Sequence, residues 1–348
     1  MDLKKLQNEM DPKSMMGLVE AFPAQMHEAY ELGESFCAKL AGGKLSRIVL
    51  CGMGGSAIGG DMVRSYLGSR LAAPLHVVRS YEVPGYLLED ALCIISSYSG
   101  NTGETLSAYE SIKGKAASVV AITSGGKLGE ICLRDGIPIC RIPGGMPPRA
   151  AIAYSFFPTV HILWKLGLAE VSEEEFSRAR EHLGRDCAEF SPVNPDNRAA
   201  EIARALHGYF PFIYSGGMLC EAVARRWCTQ INENGKSLAH YASFTELNHN
   251  EIVGWETPED LLGKIVIVSL EDREDHELSK RQRDIFLGII EPLAAGLFRI
   301  ETKGEDRLTR ILSTMVLGDF VSIYLAYFNG LDPTPVEKID YLKQRLQQ

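Results

Sequence analysis

Short runs of β-branched and aliphatic residues recur along the chain, each followed by a longer stretch with apolar positions at helical spacing. Ile48-Val49-Leu50, His76-Val77-Val78, Leu92-Cys93-Ile94-Ile95, Val119-Val120-Ala121-Ile122 and Ile137-Pro138-Ile139-Cys140 are the first five such runs. Runs this short and apolar predict strands buried on both faces, and their alternation with helical stretches predicts βαβ units in a parallel sheet. Residues 1–44 read as a leading helical arm, with Met15, Met16, Leu18, Val19 and Phe22 apolar, then Ala38, Leu40 and Ala41, up to a Gly42-Gly43 break. The first α/β domain is expected over 45–170, closed by an apolar helix over 150–168.

The charged stretch 171–198, with Glu173-Glu174-Glu175 and then Pro192 and Pro195, predicts a linker. A second domain over 199–330 repeats the pattern. Phe212-Ile213-Tyr214-Ser215-Gly216-Gly217 matches the strand-into-glycine turn of Val49-Leu50-Cys51-Gly52-Met53-Gly54-Gly55, and a helix over 221–232 follows it. The halves therefore read as a degenerate repeat. After its next strand, 264–268, the second half carries Glu271-Asp272-Arg273-Glu274-Asp275 where the first has a loop of Ser, Thr and Gly. Carboxylates there repel a phosphate, so only the first half is expected to bind one. Residues 331–348 form a separate C-terminal segment.

A length of 348 residues suits two domains, and 45% hydrophobic with 23% charged residues is a globular composition. The net charge of -9 argues against a nucleic-acid reader, which needs clustered Lys and Arg. It does not exclude a small anion, because a phosphate needs only a few backbone N–H groups and hydroxyls. The eight cysteines, from Cys37 to Cys228, form no C-x-x-C pair, which fits reduced thiols in a cytoplasmic protein. The first residues continue into Gln7, Asn8, Glu9 and Asp11 rather than an apolar signal core. The apolar stretch 308–329 contains Arg310 and Asp319 and reads as a buried helix, so no membrane attachment is expected.

Two loops carry candidate binding chemistry. Gly52-Met53-Gly54-Gly55-Ser56-Ala57-Ile58-Gly59-Gly60 sits where the first strand turns into the first helix, and glycine there lets a ligand approach helix-end N–H donors. It also satisfies a relaxed dinucleotide pattern, G-x-G-x-x-A, and a plain tight turn needs glycine too. The second loop, Ser97-Tyr98-Ser99-Gly100-Asn101-Thr102-Gly103-Glu104-Thr105, discriminates. It follows the strand at 93–95 and puts several hydroxyls at the same sheet edge, which suits the three oxygens of a phosphomonoester. Helix capping alone would account for one or two of them. The acid that a dinucleotide ribose requires after the second strand is offered only by Glu82 in Arg79-Ser80-Tyr81-Glu82.

These loops resemble the sugar isomerase (SIS) domain, whose pattern S-x-S-G-x-T-x-E-T is matched at Ser97, Ser99, Gly100, Thr102, Glu104 and Thr105. The resemblance extends along most of the chain. Gly54-Gly55-Ser56, the segment 144–149, Asn232-Glu233-Asn234 and Glu246-Leu247-Asn248-His249-Asn250-Glu251 are similar to the bifunctional phosphoglucose/phosphomannose isomerase family. The resemblance implies two SIS-type α/β domains, each a parallel sheet flanked by helices. It implies an aldose–ketose isomerase of glycolysis and gluconeogenesis that interconverts glucose 6-phosphate and mannose 6-phosphate with fructose 6-phosphate through a cis-enediolate.

By the same resemblance Gly54, Gly55, Ser56, Ser97, Ser99 and Thr102 hold the sugar phosphate, Glu233 shuttles the proton between C1 and C2, and His249 opens the ring. Arg149 stabilises the enediolate, Lys343, or else Lys338, assists ring opening, and Thr334 is the small pocket residue associated with accepting mannose 6-phosphate. A homodimer is implied, with His249 supplied by the partner chain. The residue types suit these roles: a carboxylate shielded from water titrates closer to neutrality, a histidine already titrates there, and a guanidinium keeps its charge. A Glu at a helix end and a His between two Asn are, taken singly, ordinary solvated residues. No metal is expected, since Glu246, His249 and Glu251 lack an H-E-x-x-H arrangement, and no cofactor is needed for a proton shuttle.

A non-catalytic sugar-phosphate regulator would keep the 97–102 loop without needing Glu233 or His249. An amidotransferase-type aminosugar isomerase would carry a glutaminase domain for which too little chain precedes the loops. A nicotinamide enzyme is set apart by fluorescence: NAD is expected to leave the emission of the three tryptophans unchanged, and a saturable change would support a dinucleotide site instead.

Overall fold

The computed structural model describes residues 2–36 and 45–346. Cys37, Ala38, Leu40, Ala41 and the Gly42-Gly43 break lie outside the described residues. Two compact units form, one from Ala21 to Glu181 and the other from the residues up to Glu20 with those from His182 onward.

In the first unit, β1 (Arg47–Cys51), β2 (Leu75–Val78), β3 (Ala91–Ser96), β4 (Ser118–Thr123) and β5 (Ile139–Arg141) form one sheet, ordered β2-β1-β3-β4-β5, in which every pairing is parallel. All six residues of β3 are buried, as expected of a strand covered on both faces. Val49, Cys51, Cys93, Ile95 and Ala121 pack on one face with Ala108, Tyr109 and Ile112 of helix Gly103–Ile112. The alternate residue Leu50 meets Gly60 of helix Gly54–Leu67 on the other face. Helices Phe22–Ser35 and Ala153–Lys165 belong to this unit as well.

In the second unit, β6 (Phe210–Ser215), β7 (His240–Ser243), β8 (Ile265–Glu271) and β9 (Gly296–Glu301) repeat the order as β7-β6-β8-β9, again all parallel. The repeat read from the two glycine turns is thus a repeat of topology. Two of these strands had little sequence signal. β7 is half-buried along its length and mixes His, Tyr, Ala and Ser, and β9 buries only Ile300. Both are edge strands, which need no uniform apolar run.

Residues 171–198, read as a linker, hold helix Glu173–Phe190, and the division into units falls within it. Phe176, Ala179, Leu183, Cys187 and Phe190 are buried at steps of three and four, so the stretch had helical periodicity beneath its charge. Glu173, Glu174 and Glu175 fall in the first turn, where the helix dipole favours acids. The arm at 1–44 is divided too. Helices Leu3–Met10 and Met15–Glu20 belong to the second unit, where Asp11 accepts from the N–H groups of Met15 and Met16 at 2.7 and 2.8 Å and from Tyr327 Oη at 3.0 Å.

Helix Arg307–Phe328 is long and apolar enough to cross a membrane, yet nearly all of it is buried in protein. It packs along helix Met218–Glu233, and one buried ion pair joins them. Arg226 Nε and Nη2 donate to Asp319 Oδ1 and Oδ2 at 3.0 and 2.7 Å, and Gln230 Nε2 donates to Oδ1 at 3.0 Å. Burial pushes the Asp319 carboxyl up, opposed by Arg226 and Gln230. The described cysteines are all free and buried, and burial pushes the Cys93 thiol up to about 12 and Cys132 and Cys140 to about 11.

Removing one partner of a buried pair strands the other charge, so Arg226→Met is expected to cost about 3–5 kcal/mol in urea unfolding followed through tryptophan emission. The double variant Arg226→Met/Asp319→Leu should recover more than half of that loss. A single-variant loss under about 1 kcal/mol would show that water reaches the pair.

Candidate active site

β1 and β3 are neighbours with Cys51 level with Ile95, so the loops that leave their carboxyl ends lie side by side. The strand order reverses between them, and the crevice at such a switch point is where open α/β sheets bind ligands.

The first loop runs into helix Gly54–Leu67. Met53 stands at its N-cap with no side-chain cap, which leaves the first N–H donors to a ligand. Ser56 is buried in that first turn. A side chain at Gly55 would place its Cβ 2.8 Å from the Pro148 carbonyl oxygen, so glycine is what lets the 144–149 segment close on this turn.

In the second loop, Ser97 Oγ donates to Thr102 Oγ1 at 3.1 Å, and Ser99 Oγ accepts from the Asn101 N–H at 3.2 Å. Thr102 is the N-cap of helix Gly103–Ile112, but its side chain does not cap it. Ser97 is buried, Thr102 half-buried and Ser99 exposed. Gly100 has φ of 68°, and a Cβ there would lie 1.8 Å from the Gly125 carbonyl oxygen. The loop is therefore fixed against the β4 turn.

Arg149 is buried in the short turn Pro148–Ala150. A small cavity in this unit is lined by Gly55 and Ser56 from the first loop, Tyr98 from the second and Pro148 from the 144–149 segment. Gly54, Gly55, Ser56, Ser97, Ser99, Thr102 and Arg149 are thus brought to one sheet edge. Its donors are hydroxyls, uncapped backbone N–H groups and a guanidinium, a set suited to an anion.

In the second unit, Glu233 is half-buried at the end of helix Met218–Glu233. The Arg226–Asp319 pair fixes this helix, and just beyond its end Asn234 Nδ2 donates to Ser322 Oγ at 2.9 Å. Lys236, with φ of 55°, donates from Nζ to the Glu233 carbonyl and to those of Pro333 and Pro335 at 3.1 and 2.6 Å. One ammonium thus holds the residues flanking Thr334 to the helix end that carries Glu233. Sequence reasoning missed Lys236, because its role depends on a left-handed backbone and on carbonyls almost a hundred residues away. Thr334 is half-buried. Lys343 and Lys338 are exposed on helix Glu337–Leu346, which buries none of its residues.

His249 is exposed between the short helices Phe244–Leu247 and Glu251–Gly254. Its segment is anchored from both sides. Phe244 and Leu247 enter the core on β6 and β8, while Glu251 accepts from Tyr214 Oη and meets His240 Nε2 at 3.0 Å. Burial pushes the Glu251 carboxyl up, but the His240 and Tyr214 bonds outweigh it and the net shift is downward. Glu251 was legible as part of a motif, its anchoring role only from the strands beside it.

The second sheet's own switch point is filled from within. The Asp275 carboxylate lies against the glycine turn after β6, where a Cβ at Gly216 would fall 1.9 Å from Oδ2 and one at Gly217 2.5 Å from Oδ1. The Asp272 N–H donates to Asp275 Oδ2 at 3.1 Å, and Arg283 stands 3.7 Å away. A carboxylate of the chain itself thus lies against the glycine turn of the second sheet. Among the described residues no group of three or more His, Cys, Asp or Glu is gathered as a metal site requires.

The family model described as bacterial phospho-glucose isomerase C-terminal SIS domain matches residues 195–346. A bifunctional phosphoglucose/phosphomannose isomerase of Caldicellulosiruptor bescii is 41% identical over 336 residues, covering 96% of this chain and 99% of the relative. One from Aquifex aeolicus is 34% identical over 331 residues, covering 93% and 99%. Among solved structures, a hypothetical protein from Thermus thermophilus aligns with a TM-score of 0.73 at 14% identity, covering 99% of this chain and 94% of that one, and this likeness speaks to the fold. Identity at this level along nearly the whole length of both sequences makes the chain a member of the bifunctional phosphoglucose/phosphomannose isomerase family.

Proposed function

We propose that the chain interconverts glucose 6-phosphate and mannose 6-phosphate with fructose 6-phosphate. The observation that carries this is the pair of uncapped, hydroxyl-bearing turns at adjacent strand ends, with the buried Arg149 turn closed on one of them. Such an edge seats a phosphomonoester, and the relatives that share the whole chain are named for this isomerisation.

In this reading Gly54, Gly55, Ser56, Ser97, Ser99 and Thr102 bind the phosphate. His249 passes a proton to the ring oxygen O5 as the C1–O5 bond breaks, and the anomeric O1 hydroxyl releases its proton to water as C1=O1 forms, with Lys343 assisting the opening. The Glu233 carboxylate then takes the C2 proton of the open aldose, leaving a cis-enediolate, and returns it to C1 while a proton moves from O2 to O1. The guanidinium of Arg149 stabilises the enediolate oxygens and keeps its proton throughout. Return of the proton to either face of C2 yields the glucose or mannose epimer, and a small residue at 334 leaves room for both. The exposed His249 serves the partner chain of a homodimer.

A coupled assay is expected to show turnover with glucose 6-phosphate and, separately, with mannose 6-phosphate. Glu233→Gln should lower kcat by about 10³-fold with little change in KM, the usual worth of a positioned base. Sugar-phosphate binding without turnover in the parent protein would identify a regulator instead.

Mixing equal amounts of Glu233→Gln and His249→Ala chains under exchanging conditions tests the dimer. If the histidine crosses to the partner, each mixed dimer keeps one intact site, and with about half of all dimers mixed, about a quarter of parental activity returns. No recovery would place His249 in its own chain's site.

A further inference from the structure

Within the first unit, the hydroxyl loop and the Arg149 turn meet through one side chain whose part in the site is otherwise unassigned. Tyr98 stands between Ser97 and Ser99, and its main chain is held from below: its carbonyl accepts from the Ser124 N–H at 3.0 Å and from Ser124 Oγ at 2.7 Å. With the backbone fixed, the ring reaches across to the 144–149 segment, and its phenol oxygen accepts from the Met146 N–H at 3.1 Å.

The importance of that bond lies in the residues just after Met146, which are Pro147, Pro148 and then Arg149. Neither proline has an N–H, so Met146 supplies the only main-chain donor of residues 146–148, and Tyr98 takes it. Both prolines have restricted φ, so a displacement at Met146 passes along a stiff segment to the guanidinium. The Pro148 carbonyl also rests against Gly55, which ties the same turn to the first loop. Tyr98 and Pro148 share the lining of the small cavity with Gly55 and Ser56. Burial pushes the phenol up and the Met146 bond acts against that, so the phenol stays a neutral acceptor near neutral pH.

We propose that Tyr98 is a positioning residue that couples seating of the substrate phosphate in the 97–102 loop to the placement of Arg149. The inference rests on the isomerase reading for its effect on rate, but the coupling itself is a property of the loops. A phosphate drawn onto Ser97, Ser99 and Thr102 fixes the loop that carries Tyr98, and through Met146 it sets the turn that carries Arg149.

Tyr98→Phe keeps the ring and removes only the oxygen. It is expected to lower kcat about tenfold, while KM for fructose 6-phosphate and the inhibition constant of inorganic phosphate stay within about twofold of the parent. In an Arg149→Ala background the same change should alter kcat by less than about twofold, because the group being positioned is gone. Titrating inorganic phosphate into isotopically labelled protein should shift the Met146 amide resonance in the parent and leave it unmoved in Tyr98→Phe. Additive losses in the double variant would overturn the proposal, since a merely structural defect adds to the loss of Arg149. So would an unchanged kcat with raised KM and phosphate inhibition constant, which would make the phenol a phosphate ligand. A parent without isomerase turnover whose Met146 amide still responds to phosphate overturns the isomerase reading and leaves the coupling intact. An active parent whose Met146 amide ignores phosphate overturns the coupling alone.

Discussion

Where the strand order of a parallel sheet reverses, the two neighbouring strands send their exits to opposite faces, and here those strands are β1 and β3. The chain leaves β1 toward the face that Leu50 shares with Gly60, and it leaves β3 toward the face of Val49 and Cys51. Between the two exits the main chain cannot cover its own edge, so N–H groups and side chains there remain available. The residues proposed to bind phosphate lie on the loops that this constraint brings together. The glycines let the first helix begin beneath a ligand, and the hydroxyls line the neighbouring exit. The Arg149 turn folds back from the far edge strand.

The same constraint applies to the second sheet, with the same strand order, and there the chain resolves it differently. Asp275 turns its carboxylate onto the glycine turn, within a network of Asp272, Arg283 and Glu271. One copy of the topology thus brings hydroxyls and uncapped N–H groups to its edge, while the other places a carboxylate of its own there. What the second unit offers instead is a helix end. Glu233 stands where two buried helices are locked by Arg226 and Asp319, and a lysine gathers the carbonyls around it. The carboxylate proposed as the base gains from such a mount, because a misplacement of about 1 Å can cost about 10²-fold in rate.

Much of this was legible in the sequence where one physical rule acted alone. Uniformly apolar runs marked the central strands, and glycine and hydroxyl clusters marked the strand exits. The acidic run after β8 already argued against a second phosphate site. Legibility failed where tertiary contact supplied what local sequence lacked. β7 and β9 are edge strands with mixed side chains, and the charged stretch around Glu173 hid a helix whose apolar positions fall at steps of three and four. Tyr98 and Glu251 sat in plain view inside motifs. Their hydrogen-bond partners, Met146 and the pair Tyr214 and His240, lie on other elements, and no spacing rule reaches that far.

The sealed sulfur atoms have a consequence for how the protein meets its chemical surroundings. A thiol reacts as its thiolate, and seven of these cysteines are both shut away from solvent and disfavoured in that form. Electrophiles and oxidants therefore find nothing to attack at those positions while the units stay closed. With a reagent that reacts faster than the core recloses, their rate of modification becomes a clock for transient opening; with a slower one it reports the open population.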